Sequence, residues 1–194
     1  MLFSQLRPTL FLFFLFTLIT GLLYPLIITG VGKTLFPFQS SGSLITQDNK
    51  VIGSQLIGQS FTDPSFFWGR PSATSPTAYN PLPSSASNLG PLNPALIQAV
   101  THRVHTLQQA HPTNKDLVPI DLVTASASGL DPEISPASAF YQAERVATLR
   151  NIPVERVNAL IVQHIQDRQF KILGEPRVNV LQLNLALLQM SKSE

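Results

Sequence analysis

From Leu10 to Val31 the chain runs through 22 consecutive uncharged, mostly apolar positions, and no other stretch of its 194 residues does so. At about 1.5 Å per residue, a helix of that length crosses the roughly 30 Å hydrocarbon core of a bilayer. The pattern predicts a transmembrane anchor over residues 10–32, preceded by a short N-terminal segment, 1–9. A cleaved signal peptide would carry a shorter apolar core, about 7 to 15 residues, ending in a small-residue cleavage site. Thr29-Gly30-Val31-Gly32-Lys33 offers no A-x-A pattern, so the anchor is read as retained.

Within the anchor, Thr17, Gly21, Pro25 and Thr29 recur every four residues. Each step of four passes a full turn by about 40°, so they form a slanting ridge of small or kinked positions. Ridges of small residues let helix backbones approach closely in lipid, which makes these four the candidate partner-binding residues. Phe11, Phe14, Leu15, Leu18 and Leu22 are bulky groups that suit lipid contact. The competing explanation is that Gly and Pro are simply commoner in membrane helices.

Past the anchor, Leu35-Phe36-Pro37-Phe38 reads as an exit turn and Ser40 to Asn49 as a polar connector, giving a connector over 33–50 and one domain over 51–194. Val51 to Leu56 reads as a strand, interrupted by glycines 53 and 58. Phe61, Phe66, Phe67 and Trp68 crowd into eight residues and predict a corner of the core, with a binding surface as the lesser alternative. From Pro71 to Pro94, six prolines, five serines and three asparagines in 24 residues exclude both helix and central strand. A loop of that length is either disordered or functional. Tyr79, Leu82, Leu89 and Leu92 are spaced through it as if to pin it down, which predicts an ordered loop.

Three helices then follow from cap and period. Asn93-Pro94 opens one through Leu96, Val100, Val104 and Leu107, ending near His111-Pro112. Ser135-Pro136 opens a second through Phe140, Ala143, Val146 and Arg150. Pro153 opens a third with Val157, Leu160, Ile161, His164 and Ile165 on one face. Leu117 to Thr124 is β-branched and apolar and predicts a strand. Asn179 to Met190 fits either a helical face of Leu181, Leu185 and Leu188 or an alternating strand, and helix is preferred.

Charge narrows the function classes. The net charge is +2, but two of the 13 basic residues precede Thr34, leaving 11 basic against 11 acidic residues beyond it. A neutral domain has no electrostatic footprint for nucleic acid. Arg7 precedes the anchor while Lys33 and Lys50 follow it, so positive charge gives little orientation. The absence of cysteine fits an extracytoplasmic location without establishing one.

Catalytic signatures are sparse. Gly32-Lys33-Thr34 looks like the tail of a phosphate-binding loop, but Ile27 stands where the motif requires glycine. His102 and His105, with His111 more distant, fall short of a zinc-ligand pattern, so no metal site is assigned. No G-x-S-x-G elbow marks a nucleophilic serine, and no catalytic residue is assigned. Asp121, Ser126, Ser128, Asp131 and Glu133 form an oxygen-rich stretch that turn and cap chemistry explains better than a cation.

Several blocks carry a family resemblance: Gly69-Arg70-Pro71-Ser72-Ala73, Ser87-Asn88-Leu89-Gly90-Pro91 with Asn93-Pro94, Val118-Pro119-Ile120-Asp121-Leu122-Val123-Thr124-Ala125-Ser126, Ser128-Gly129-Leu130-Asp131-Pro132, and Leu173-Gly174-Glu175-Pro176-Arg177-Val178-Asn179-Val180-Leu181. Together, in this order from anchor to last helix, they resemble the C subunit of the bacterial Kdp potassium-transporting ATPase. The resemblance implies an α+β fold, with a single N-terminal transmembrane helix followed by one mixed α and β extracytoplasmic domain. It implies the bacterial plasma (inner) membrane, with the N-terminus cytoplasmic. It implies three partners: a channel-like potassium-translocating subunit, a P-type ATPase subunit and a small one-helix subunit. The role implied is non-catalytic, in complex assembly and as a catalytic chaperone raising the ATPase subunit's affinity for ATP. No cofactor of its own is implied, ATP entering through the complex.

Three departures qualify this. The family's glycine pair before Ser-Asn-Leu-Gly-Pro, likened to a nucleotide-binding signature, is replaced by Ser85-Ala86, which resist the φ values and close approach that glycine allows. Any nucleotide contact of the loop Ser84, Ser85, Ala86, Ser87, Asn88 is weakened accordingly. Glu133 stands where the family often has histidine, so no pH-linked role is assigned there, and Ala127 replaces a usual glycine. The alternative from another class is a membrane-anchored extracytoplasmic hydrolase using a serine of the long loop.

Overall fold

The computed structural model describes residues 2–192, in two compact units, one up to Ile52 and one from Gly53 onward. The first unit is built on one unbroken helical rod: α1 (Leu2–Leu18), a single π-helical turn (Ile19–Leu23) and α2 (Tyr24–Leu35). The apolar rod from Ser4 to Leu35, 32 residues, is the one helix among the described residues long and apolar enough to cross a membrane. It extends several residues past the apolar run at each end. The π-turn has a local cause: Pro25 has no N–H to donate, and its ring would collide with a carbonyl of the preceding turn, so the helix accommodates an extra residue there. The Thr17 and Thr20 hydroxyls donate back to the carbonyls of Phe13 and Phe16 at 2.7 Å, which satisfies them without a partner from outside the helix.

The segment after the rod departs from expectation. Phe36 ends the rod within the exit turn read at Leu35–Phe38, and Pro37 then opens a one-turn helix, α3 (Pro37–Ser40). Ser40–Asn49 is more than a polar connector. It contains β1 (Leu44–Gln47), which pairs with β2 (Lys50–Ser54). Asp48 and Asn49, both at positive φ, make the two-residue turn between them, a conformation these side chains tolerate.

In the second unit, α4 (Pro94–Ala110) starts where cap and proline predict it, with the Asn93 side chain accepting from the Ala95 N–H at 2.9 Å. The expected strand at Leu117–Thr124 is absent. Pro119 turns the chain, the N–H groups of Val123 and Thr124 bond the Ile120 carbonyl, and a 3₁₀ turn forms at Ile120–Leu122. These local bonds outweigh β-branched propensity where no partner strand runs alongside. β3 (Glu133–Ile134) leads into α5 (Pro136–Arg150), capped by Ser135. Asn151 ends α5 in the left-handed region, and α6 (Val154–His164) begins one residue later than expected because Pro153 serves as its cap. β4 (Ile165–Gln166) and β5 (Arg177–Asn179) follow, then α7 (Val180–Lys192).

The small antiparallel sheet has the order β3-β5-β4, with Val178 opposite both Ile134 and Ile165. Ile134 and Val178 thus enter a core completed by Ala139, Ala143 and Val146 of α5, Val157 and Ile161 of α6, and Leu183 and Leu187 of α7. Phe67 closes it from a segment with no regular structure of its own. Helices from one stretch and a short antiparallel sheet around one core make this an α+β domain.

Candidate functional site

Two buried amides hold the aromatic segment in place. Asn184 on α7 accepts from the Phe67 N–H and donates to the Phe67 carbonyl, both at 2.9 Å. Gln142 on α5 does the same for Trp68, accepting at 2.8 Å and donating at 3.1 Å. Residues 67 and 68 are therefore paired like residues of a strand, with side chains in the place of a neighbouring backbone. Arg145, buried beside Gln142, donates to its Oε1 at 2.7 Å and to the carbonyls of Pro64 and Phe66, and stacks on the Trp68 ring with Cζ 4.4 Å from the centroid. Burial pushes this guanidinium down from its ordinary range, opposed by Asp63. The expected core corner is thus realised by Phe67, while Phe61, Phe66 and Trp68 remain partly exposed around it.

This clamped segment delivers Arg70 to the next block. Arg70 Nη1 lies 2.9 Å from Asp131 Oδ2, a half-buried pair joining Gly69–Ala73 to Ser128–Pro132. Asp131 Oδ1 also accepts the Glu133 N–H at 3.0 Å, and Glu133 pairs with Arg177 at 2.8 Å, which brings in the block before α7. The side-chain pairs line a recess of about 580 Å³ with Pro119, Asp121, Ser135 and Glu175. Four of the five family-like blocks, scattered along the chain, converge here on one another.

The proline-rich loop is ordered by the same residues. Tyr79 inserts its ring between Gly58 and Gly69, where a Cβ on either glycine would collide with it, and its hydroxyl donates to the Arg70 carbonyl. Burial pushes its pKa up to about 12. Ser72 Oγ donates to the Gly129 carbonyl at 2.7 Å and accepts from the Tyr79 N–H at 2.9 Å, while Thr74 Oγ1 accepts from the Asn80 N–H at 3.0 Å. Of the residues expected to pin this loop, Tyr79 does so. Leu82 and Leu92 instead stand exposed, at 92% and 89%, because hydroxyl-to-backbone bonds do the fastening.

The loop Ser84, Ser85, Ala86, Ser87, Asn88 lies alongside Ser128. Ser84 Oγ and the Ser85 N–H both donate to the Ser128 carbonyl at 3.0 Å. The Ser85 N–H, one of the donors a phosphate-cradling loop would present, is therefore directed at protein backbone. Ala86 and Leu89 are half-buried, and Asn88 sits at φ 51°.

Other candidates serve the fold. Asp121 accepts from the Ser135 N–H at 2.7 Å and from the Ser138 hydroxyl at 2.5 Å, fixing the start of α5, and Ser126 Oγ accepts from the Gly129 N–H at 2.9 Å. His102 and His105 are exposed on α4, and His111 is buried at its end, 3.6 Å from Glu144. Among the described residues no group of three or more His, Cys, Asp or Glu side chains is placed to hold a metal. Sequence reasoning missed the Asn184 and Gln142 clamps; buried amides in otherwise apolar helical faces were the available signal.

In the rod, the π-turn changes the geometry of Thr17, Gly21, Pro25 and Thr29. On an unbroken α-helix three steps of four would carry the ridge about 120° around the axis. A π-turn rotates each residue about 18° less, so five of them take back about 90° and leave the four positions within about 30° of one line. Nothing lies within 4 Å of where a Cβ on Gly21 would stand.

Comparison with known proteins gives the family. The family model described as K+-transporting ATPase, c chain, matches residues 6–189. The chain is 60% identical over 184 residues to the potassium-transporting ATPase KdpC subunit of Variovorax paradoxus (strain S110), covering 95% of each chain. It is 59% identical to that of Polynucleobacter asymbioticus over 95% of this chain and 97% of the relative, and 57% identical to that of Dechloromonas aromatica over 97% and 99%. A family match over residues 6–189 and identities of 57–60% over nearly the whole of both chains leave one assignment: the chain belongs to the KdpC family, the c chains of the K+-transporting ATPase.

Proposed function

We propose that this chain is a non-catalytic accessory subunit of an ATP-driven potassium uptake pump, needed for assembly of the complex and acting as a catalytic chaperone for its ATPase subunit. The observation that carries the reading is the family match across residues 6–189, which includes both the apolar rod and the blocks that converge around Arg70 and Asp131. Its partners on this reading are the potassium-translocating subunit, the P-type ATPase subunit and the small one-helix subunit. The rod anchors it in the bacterial inner membrane with the N-terminus cytoplasmic and the domain outside.

That topology constrains the mechanism. A domain outside the bilayer has no contact with ATP bound inside, so any rise in ATP affinity is a coupling free energy transmitted through conformations of the partner subunits. The use of the Ser85 N–H by Ser128 supports a structural rather than nucleotide-holding role for the loop Ser84–Asn88. The domain caps the outer face of the potassium-translocating subunit, and the Thr17, Gly21, Pro25, Thr29 line docks against its membrane helices.

Co-purification tests this. Gly21→Trp adds bulk where the chain itself has nothing to collide with, so its effect reads docking alone. Gly21→Trp and a chain lacking the rod should both be lost from the purified pump, with Ile27→Trp, exposed on the surface opposite the line, retained. Unchanged recovery of Gly21→Trp and of the rodless chain would refute the reading.

A further inference from the structure

We propose that the recess between α4 and the Trp68–Gly69 segment is a binding site for a small carboxylate carried on a flat or apolar group. The recess, about 230 Å³, is lined by Trp68, Gly69, His102, Arg103, Thr106, Leu107 and Leu122. Three side chains make its walls apolar: the Trp68 ring and the buried Leu107 and Leu122. Arg103, Thr106 and Leu107 lie three and four residues apart on α4, so one helix face presents a cation, a hydroxyl and a greasy floor together. Apolar walls with a few convergent polar groups are the usual make-up of a small-molecule site.

Arg103 determines which ligand fits. Its Nη1 donates to the Val123 carbonyl at 2.8 Å, and it makes no ion pair among the described residues. A guanidinium has five N–H donors in a planar fork that matches a carboxylate in bidentate fashion, and this one has engaged a single donor. Burial pushes its pKa down, and no neighbouring carboxylate opposes that shift. A second cation lies beside the recess: Arg145 stacks on Trp68, with its Cζ 4.4 Å from the ring centroid. Asp63 opposes the effect of burial on that guanidinium. A partly desolvated cation without an anionic partner favours an incoming anion more strongly than an exposed one does. The volume falls below the roughly 300 to 1,000 Å³ of sites for drug-sized ligands, so a nucleoside triphosphate does not fit.

Trp68 is the single tryptophan of the chain, so its emission reports occupancy directly. The full chain in detergent micelles is titrated with benzoate, with neutral benzamide and with cationic benzamidine. The site predicts a saturable change in Trp68 emission with benzoate, about tenfold weaker binding of benzamide, and none of benzamidine. Arg103→Gln, with its fold checked by circular dichroism, should lose benzoate binding by about the same factor, and Arg103→Lys should fall between. The comparison of the three probes on the unaltered chain stands even if Arg103→Gln fails to fold. Absence of saturation with benzoate, equal binding of the three probes, or undiminished binding to folded Arg103→Gln would each overturn the proposal.

Discussion

Replacing Asn184 by leucine tests whether side-chain clamps, rather than apolar burial alone, hold the segment on which the converged blocks depend. Leucine has the same branching and number of side-chain heavy atoms as asparagine, though it is bulkier, and offers neither donor nor acceptor. Phe67 is fully buried, and both its N–H and its carbonyl bond to Asn184. Each buried group left unpaired costs about 1 to 3 kcal/mol, which gives about 2 to 6 kcal/mol for the two. The added apolar contact of leucine offsets part of this, leaving an expected loss of about 2 to 5 kcal/mol. Against a typical total of about 5 to 15 kcal/mol, that is a large fraction of the stability. Urea unfolding of the full chain in micelles, followed by Trp68 emission, measures it directly. The midpoint should fall with little change in slope. Gln142→Leu should cost at least as much, since it also strips a partner from buried Arg145. A loss below about 1 kcal/mol for Asn184→Leu would refute the clamp as a source of stability.

Gly129→Ala should cost about 2 to 4 kcal/mol in the same assay, because Gly129 lies at φ 68° and a Cβ would stand 2.7 Å from Thr74 Cγ2 and 2.8 Å from the Ser85 carbonyl. Tyr79, whose folded pKa of about 12 lies above its ordinary value, contributes stability that is fully present below pH 10 and is lost as pH rises through 12. The stability difference between the unaltered chain and Tyr79→Phe should therefore shrink by up to about 3 kcal/mol between pH 10 and 12, and a flat difference would contradict the burial. At Asn151, which ends α5 at φ 54°, substitution by glycine should be neutral or stabilising and by valine should cost about 1 to 2 kcal/mol, read as a shift in thermal midpoint.

What could be read ahead from residues was mostly local. Asn93-Pro94 and Ser135-Pro136 announce helices because cap and proline act within one turn, and α4 and α5 begin there. The apolar run of the rod is likewise a property of one stretch. Leu117–Thr124 misled because β-branched side chains indicate a strand only where another strand is available, and the Ile120 carbonyl instead collects a local turn. The converged site was hidden for a related reason. The Arg70–Asp131 pair and the Phe67–Asn184 clamp span 61 and 117 residues, and no periodicity records which distant partner a buried amide or arginine will meet. The family-like blocks contained both ends of the Arg70–Asp131 pair without revealing that they touch. In the rod, the spacing of Thr17, Gly21, Pro25 and Thr29 was visible, but its near-straight alignment depends on a π-turn that period counting does not register.

The claim that the domain works on its partners from outside the membrane is tested most directly by sidedness. The chain contains no cysteine, so Gln163→Cys, exposed on α6, places a unique thiol on the domain. In spheroplasts carrying the assembled pump, a membrane-impermeant maleimide should label that cysteine as fully before lysis as after it. Labelling that appears only once the cells are broken would place the domain inside, beside the nucleotide, and contradict the account.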